Sequence, residues 1–156
     1  MRLTRQSSYA IRTLMYCAVN APQLSRVADI ARAHAISELF LFKLIKPLVE
    51  NGLIETVRGR HGGIRLGRPA NEITLLDTIR LTEENFAMAE CFEGGDVSCP
   101  LVDACDLNAA LREALGAFFT VLESYTIADL AGKRRSLRER LGLKLEDLDP
   151  PTAAVN

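Results

Sequence analysis

Residues 25–66 carry a pattern that few folds accommodate: two short amphipathic helical stretches, then two short β-type runs about a glycine-rich turn. Ser25 stands where an N-cap would open a helix over 26–33, with Val27, Ile30 and Ala31 on its inner side. After His34-Ala-Ile36, Ser37 and Glu38 supply a capping oxygen and a first-turn acid for a second helix, ending near Glu50. Leu41, Leu44, Ile45 and Leu48 fall on its inner face and Phe40, Lys43 and Lys46 on its outer one, with a kink or early end expected at Pro47. Asn51-Gly52 closes that helix, and the runs 53–57 and 64–66 flank the turn Arg58-Gly-Arg-His-Gly-Gly63. Two short helices with a tight connection form a helix-turn-helix pattern, weak by itself because any helical hairpin reads this way. The hairpin behind it makes the reading stronger, as a wing, although an ordinary exposed hairpin with a charged tip has the same look. Gly62 and Gly63 would let backbone approach phosphates closely, with Arg58, Arg60 and His61 at hand. Contacts to DNA are therefore expected from Ser37, Glu38, Phe40, Lys43 and Lys46 of the second helix, and from Arg58, Arg60, His61, Gly62 and Gly63 of the wing.

Charge supports a polyanionic partner for this half of the chain. Residues 1–68 hold 11 Lys/Arg against 4 Asp/Glu, whereas residues 69–156 hold 8 against 16, although the whole chain nets only −1. Such segregation is the electrostatic footprint of a nucleic-acid reader joined to a part with another task. An apolar fraction of 48% fits a globular protein. The sequence has neither an apolar run of roughly 18 residues nor a leader pattern at its basic N-terminus. The expectation is a cytoplasmic protein with no membrane partner.

Outside the reader, Thr4 opens a helix over residues 5–20 with Ala10, Leu14 and Cys17/Ala18 as its stripe. Cys17 within that stripe reads as a small core hydrophobe. Thr74 and Asp77 form a capping arrangement for a helix to about Thr82. Asp103 or Asp106 is placed to cap a long helix whose apolar residues include Leu107, Leu111, Leu115, Phe118 and Leu122. A helix so apolar on a small protein is expected to pair with a copy of itself. Thr126 and Asp129 suggest one more cap, and the end of the chain reads as a flexible tail. The expected fold is mainly α: a winged helix-turn-helix DNA-binding domain (1–82), a cysteine loop (83–106), a dimerisation helix with its end (107–131) and a tail (132–156).

The loop holds Cys91, Cys99 and Cys105, spaced C-x7-C-x5-C. Thiolates suit iron–sulfur clusters and zinc. Tight zinc sites are commonly built on pairs two to four residues apart, so the wider spacing fits a loop wrapped around a larger body. Gly94 and Gly95 give freedom to curl, and Pro100 stiffens the turn after Cys99. A fourth ligand stays open among Glu93, Asp96, Asp103, Asp106 and Asn108, another segment, a small molecule, or nothing. No catalytic motif is present, so no enzymatic activity is expected.

Met1-Arg-Leu-Thr4, Ile36-Ser-Glu-Leu-Phe-Leu41, Asn51-Gly-Leu-Ile54, Val57-Arg-Gly-Arg-His-Gly-Gly63 and the three-cysteine loop resemble the iron–sulfur winged-helix repressors of the IscR type. The resemblance spans about residues 1–130, and the segments Phe86–Glu93 and Cys99–Asp103 look most like the rhizobial iron regulators of that family. It implies a homodimer on double-stranded operator DNA with a cluster on Cys91, Cys99 and Cys105. That cluster would be [4Fe–4S], with [2Fe–2S] as a degraded form. Repression of iron-uptake genes would lift when the cluster is lost under iron shortage or oxidative attack. Two positions depart from relatives. Asn108 stands where cluster-assembly regulators have a histidine, and Ser8 lies near where nitric-oxide sensors have an aspartate. Nitric-oxide sensing within the same family and a structural zinc protein with an interaction helix are the alternatives.

Overall fold

The computed structural model describes residues 3–92, 99–100 and 105–145. Its elements run α1 (Arg5–Asn20), α2 (Val27–Ala33), α3 (Glu38–Glu50), β1 (Ile54–Val57), β2 (Gly63–Leu66), a 3-10 turn (Ala70–Glu72), α4 (Leu75–Thr82), a second 3-10 turn (Glu90–Phe92), α5 (Asp106–Ser124), α6 (Ile127–Leu130) and α7 (Arg134–Leu141). The fold is mainly helical with one small sheet, a winged helix.

Apolar spacing on the three N-terminal helices sets the core. Ala10, Leu14 and Cys17 of α1 meet Ile30 and Ala31 of α2 and Leu41, Leu44, Ile45 and Leu48 of α3, all buried. Leu53, Ile54 and Ile64 extend this cluster under the sheet, and Ile73 and Ile127 close its far side. Ser37 caps α3 as expected, accepting from the Phe40 amide at 3.2 Å. The helix also runs through Pro47 to Glu50 without stopping early. Pro47 lies in the last turn, where its missing N–H deprives only the Lys43 carbonyl on an exposed residue.

β1 and β2 pair antiparallel, with Ile54 opposite Leu66 and Val57 opposite Gly63. Here the structure corrects the role of Ser25. It does not cap α2, whose N-cap is Arg26 with no side-chain bond. Its backbone instead pairs with Ile64, N–H to carbonyl in both directions at 2.9 and 2.8 Å, and its buried hydroxyl accepts from Asn20 Nδ2 at 3.1 Å. The wing is thereby fixed to the start of the helix-turn-helix. Gly63 is required there, because a Cβ would stand 2.7 Å from the Ser25 carbonyl oxygen.

Two reciprocal capping boxes organise the second half. Thr74 and Asp77 open α4 with bonds of 3.0 Å each way, and Thr126 and Asp129 open α6 in the same manner. The two caps are themselves joined: Leu75 N–H donates to the Tyr125 carbonyl and Ile127 N–H to the Ile73 carbonyl, both at 2.9 Å. At the other end of α4, Glu83 takes hydrogen bonds from the Thr4 amide at 2.7 Å and from the Ser7 hydroxyl. Partial burial works against its charged form, but the bonds from Ser7 and Thr4 prevail and hold the carboxyl below its ordinary range.

Two further expectations are corrected. Neither aspartate caps α5: its N-cap is Cys105, Asp106 is its first residue, and Asp103 lies outside the described residues. Residues 134–141, expected in a flexible tail, form α7 and pack on α1. The cause is Arg138, fully buried, whose guanidinium donates to the Val19 carbonyl at 2.9 Å and to the Lys144 carbonyl at 2.7 Å. A basic helix reads as solvated from its composition, and nothing in the local pattern marks one arginine for burial. The stretch 146–156 lies outside the described residues, and no helix among those described is long and apolar enough to cross a membrane.

Candidate nucleic-acid interface and thiol site

The residues expected to contact DNA lie on α3 and the wing. Lys43 and Lys46 of α3 are exposed, with Lys46 3.9 Å from Glu50 in a solvated pair. Glu38 is exposed in the first turn of α3. Arg58, Arg60 and His61 are exposed at the wing tip, where Gly59 takes φ +117°, a conformation closed to most side chains. Glu55 and Arg65 form a 2.9 Å ion pair across the strands, and the hydrogen bond and charge of Arg65 hold the Glu55 carboxyl below its ordinary range. Among the described residues Lys43, Arg58 and Arg60 make no ion pair, so their charge remains available to phosphates.

Phe40 departs from expectation. It is half-buried and meets the Tyr9 ring edge-on at 5.9 Å, tying α3 to α1, while the Arg12 guanidinium covers that ring at 5.2 Å. The large apolar side chains that α3 presents outward are Leu39 and Phe42, 69% and 56% exposed. Sequence reasoning passed over both, although they stand three apart and off the stripe of Leu41, Leu44, Ile45 and Leu48. Exposed leucine and phenylalanine on a basic face suit apolar contact with thymine methyl groups in a major groove.

The thiol site lies where the 3-10 turn at 90–92 meets the start of α5. Asn108, the third residue of α5, donates from Nδ2 to Cys91 Sγ at 2.9 Å, and its backbone N–H donates to the Cys105 carbonyl at 3.2 Å. Asn108 thus brings together the two segments that carry Cys91 and Cys105. Cys105 sits at the N-terminus of a 19-residue helix. Cys99 is exposed. Residues 93–98 and 101–104, including Gly94, Gly95, Glu93, Asp96 and Asp103, lie outside the described residues. Among the described residues no three potential metal-binding side chains converge on one point. The donor chemistry nonetheless fits an iron–sulfur or zinc group: three soft sulfurs on short segments, one of them already accepting an N–H. Cys17 is separate from this set. It is buried in α1, and burial pushes its thiol up to about 12, against a smaller opposite pull from Ser25. It is a core residue.

α5 lacks a buried residue. Leu107 is 66% exposed, Val121 55% and Tyr125 51%, with Leu111, Leu115, Phe118 and Leu122 half-buried. Phe119 packs edge-on to Phe86 at 4.9 Å and under Arg80 at 5.5 Å.

This wing, helix pair and basic face define a winged-helix DNA-binding transcriptional regulator. The chain belongs to the Rrf2 family, whose model, described as an iron-dependent transcriptional regulator, matches residues 3–133. It is 60% identical to protein aau3 of Rhizobium meliloti (strain 1021) over 155 residues, covering 99% of this chain and 100% of that protein. It is 44% identical to the HTH-type transcriptional regulator NsrR of Geobacillus kaustophilus (strain HTA426), covering 90% of this chain and 97% of that one. Among solved structures, T. potens IscR shares the fold, with a TM-score of 0.69 at 21% identity over 88% of this chain and 91% of that one.

At the wing, Arg60→Ala is expected to weaken binding to any duplex and to lower the slope of log affinity against log salt by about 1. Salt-dependent binding measurements check this, and an unchanged slope would remove Arg60 from the interface.

Proposed function

We propose that this regulator is an iron-responsive repressor that binds operator DNA as a homodimer and depends on an iron–sulfur cluster held by Cys91, Cys99 and Cys105. The observation that carries the reading is the Asn108 contact, which sets a cysteine sulfur of the 90–92 turn beside the cysteine-capped end of the apolar helix α5. When bound, a cluster would supply a group that iron shortage or oxidation removes. The chain's own residues do the rest. Lys43, Lys46, Arg58 and Arg60 neutralise phosphates, Ser37 caps the helix that enters the groove, and Leu39 and Phe42 face the base edges. Gly62 and Gly63 shape the wing tip, with Glu38 and His61 at the margin of the same face. Leu107, Leu111, Leu115, Phe118 and Leu122 give the partner subunit an apolar face to cover, which places two reading heads on a pseudo-palindromic operator.

The test is the wild-type protein purified without oxygen. It should be coloured, carry acid-labile sulfide, bind its operator as a dimer, and release it when a chelator bleaches the colour. A colourless protein with one tightly bound zinc, and DNA binding indifferent to chelation, would overturn the reading in favour of a structural zinc site. A nitric-oxide-responsive repressor is the second reading, favoured by the 44% identity to an NsrR regulator. Release of DNA by nitric oxide but not by chelator would select it.

A further inference from the structure

Asn108 is held from both sides. Its Oδ1 accepts from Arg112 Nε at 2.7 Å and its Nδ2 donates to Cys91 Sγ at 2.9 Å. The Arg112 guanidinium also lies over the Phe92 ring, 4.8 Å from its centroid, beside Cys91 in sequence. This arrangement fixes which way the amide points. A guanidinium has only donors, so the carboxamide must turn its oxygen to Arg112 and its NH2 to the sulfur. The sulfur is then obliged to accept. A neutral thiol accepts weakly, whereas a thiolate, free or bound to metal, accepts well. Arg112 thus engages one of the two lone pairs of Oδ1.

We infer that Asn108 and Arg112 are positioning residues for Cys91: they hold its sulfur as a hydrogen-bond acceptor, strengthen its grip on a bound metal, and lock the 90–92 turn to α5. The inference deepens the proposed function, since the group most affected would be the cluster of that reading. It also gives a route from the site to the rest of the molecule. A change in charge on the Cys91 sulfur alters its bond to Asn108, and with it the Arg112–Phe92 stack that joins turn to helix. Outer partners of metal ligands commonly contribute 10- to 100-fold in metal affinity. Hydrogen bonds to sulfur also favour the reduced, more negative state of a cluster.

The experiment compares wild type with Asn108→Ala and Arg112→Leu, and with Glu113→Gln as a control at an exposed neighbour on the same helix. Two probes are used on each. Anaerobic holoprotein is exposed to an iron chelator while its visible absorbance and reduction potential are followed, and apoprotein is titrated with cobalt(II) alone. Asn108→Ala should bleach about 10-fold faster or more, bind cobalt about 10-fold more weakly, and show a lower reduction potential. Arg112→Leu should move all three in the same direction by less, because the amide survives but loses its orientation. Glu113→Gln should match wild type. Equal bleaching, potential and cobalt affinity in all four proteins would overturn the inference. Wild type without a cluster, but with cobalt affinity that falls in Asn108→Ala, would overturn the proposed function and leave the inference standing for a simpler metal–thiolate site. If wild type binds neither, both are overturned. Should Asn108→Ala fail to fold, the Arg112→Leu results decide the same question.

Discussion

Cys99→Ala protein, purified without oxygen, is expected to be colourless and to bind operator DNA at least about 10³-fold more weakly than wild type, near the level of random duplex. The reason lies in how few ligands the chain offers. On the proposed reading three cysteines would hold a group that asks for four ligands, so removing one would leave two sulfurs on separate segments. Among the three, Cys99 is the exposed one, so its replacement by alanine disturbs no packed interior and the variant should fold with wild-type helix content. A gel-shift or anisotropy titration against operator and against random duplex gives the two affinities, and the visible spectrum gives the cluster. Operator binding that persists at wild-type strength in a colourless Cys99→Ala protein would separate the thiol site from the reading face. The proposed function would then fail. Cys17→Ala is the natural contrast: it should keep its colour and lose only modest stability from a small core cavity.

The second large effect is expected on folding. Arg138→Ala should destabilise the protein by about 3–5 kcal/mol, from a cavity at a fully buried site together with carbonyl groups stripped of donors. Arg138 is wholly buried and donates to Val19 at the end of α1 and to Lys144 beyond α7. Val19 would keep one donor, the Arg134 Nε at 3.0 Å, whereas the Lys144 carbonyl accepts from Nε and Nη2 of Arg138 itself. The loss should therefore fall mainly on the segment after α7. Thermal unfolding should come roughly 10 °C earlier, and limited proteolysis should newly cut after α7, near Lys144. Arg138→Lys, which keeps the charge but cannot span both carbonyls, should recover only part of the stability. A melting temperature within about 2 °C of wild type would mean that α7 contributes little to the fold.

Much of the architecture was legible because helix and wing signals here are local. The stripe Leu41, Leu44, Ile45, Leu48 and the cap at Ser37 placed α3, and Thr74 with Asp77 placed α4. What escaped depended on long-range partners. Ser25 looks like a cap until Ile64, 39 positions away in the wing, claims its backbone. Arg138 looks solvated until Val19, 119 positions away, is found beside it. Phe40 and Phe42 are equivalent in composition, and only the Tyr9 ring on α1 decides which of them turns inward. In the thiol site the sequence offered Asn108 as a candidate ligand, but neither its bond to Cys91 nor the orientation imposed by Arg112. A side-chain relay across a turn and a helix leaves no periodic mark.

The joined caps at Thr74 and Thr126 have an evolutionary consequence. The chain leaves the reading head at Ile73 and returns to it at Ile127, and those two points are one β-bridge apart. Beyond α4, whose end is still tied to α1 through Thr82 and Glu83, the cysteine segment and α5 form a cassette closed by this staple. Insertions, deletions or a different set of ligands within it can drift while the anchor on the reader stays where it was. A lineage of such regulators can therefore exchange what it senses without relearning how to hold DNA.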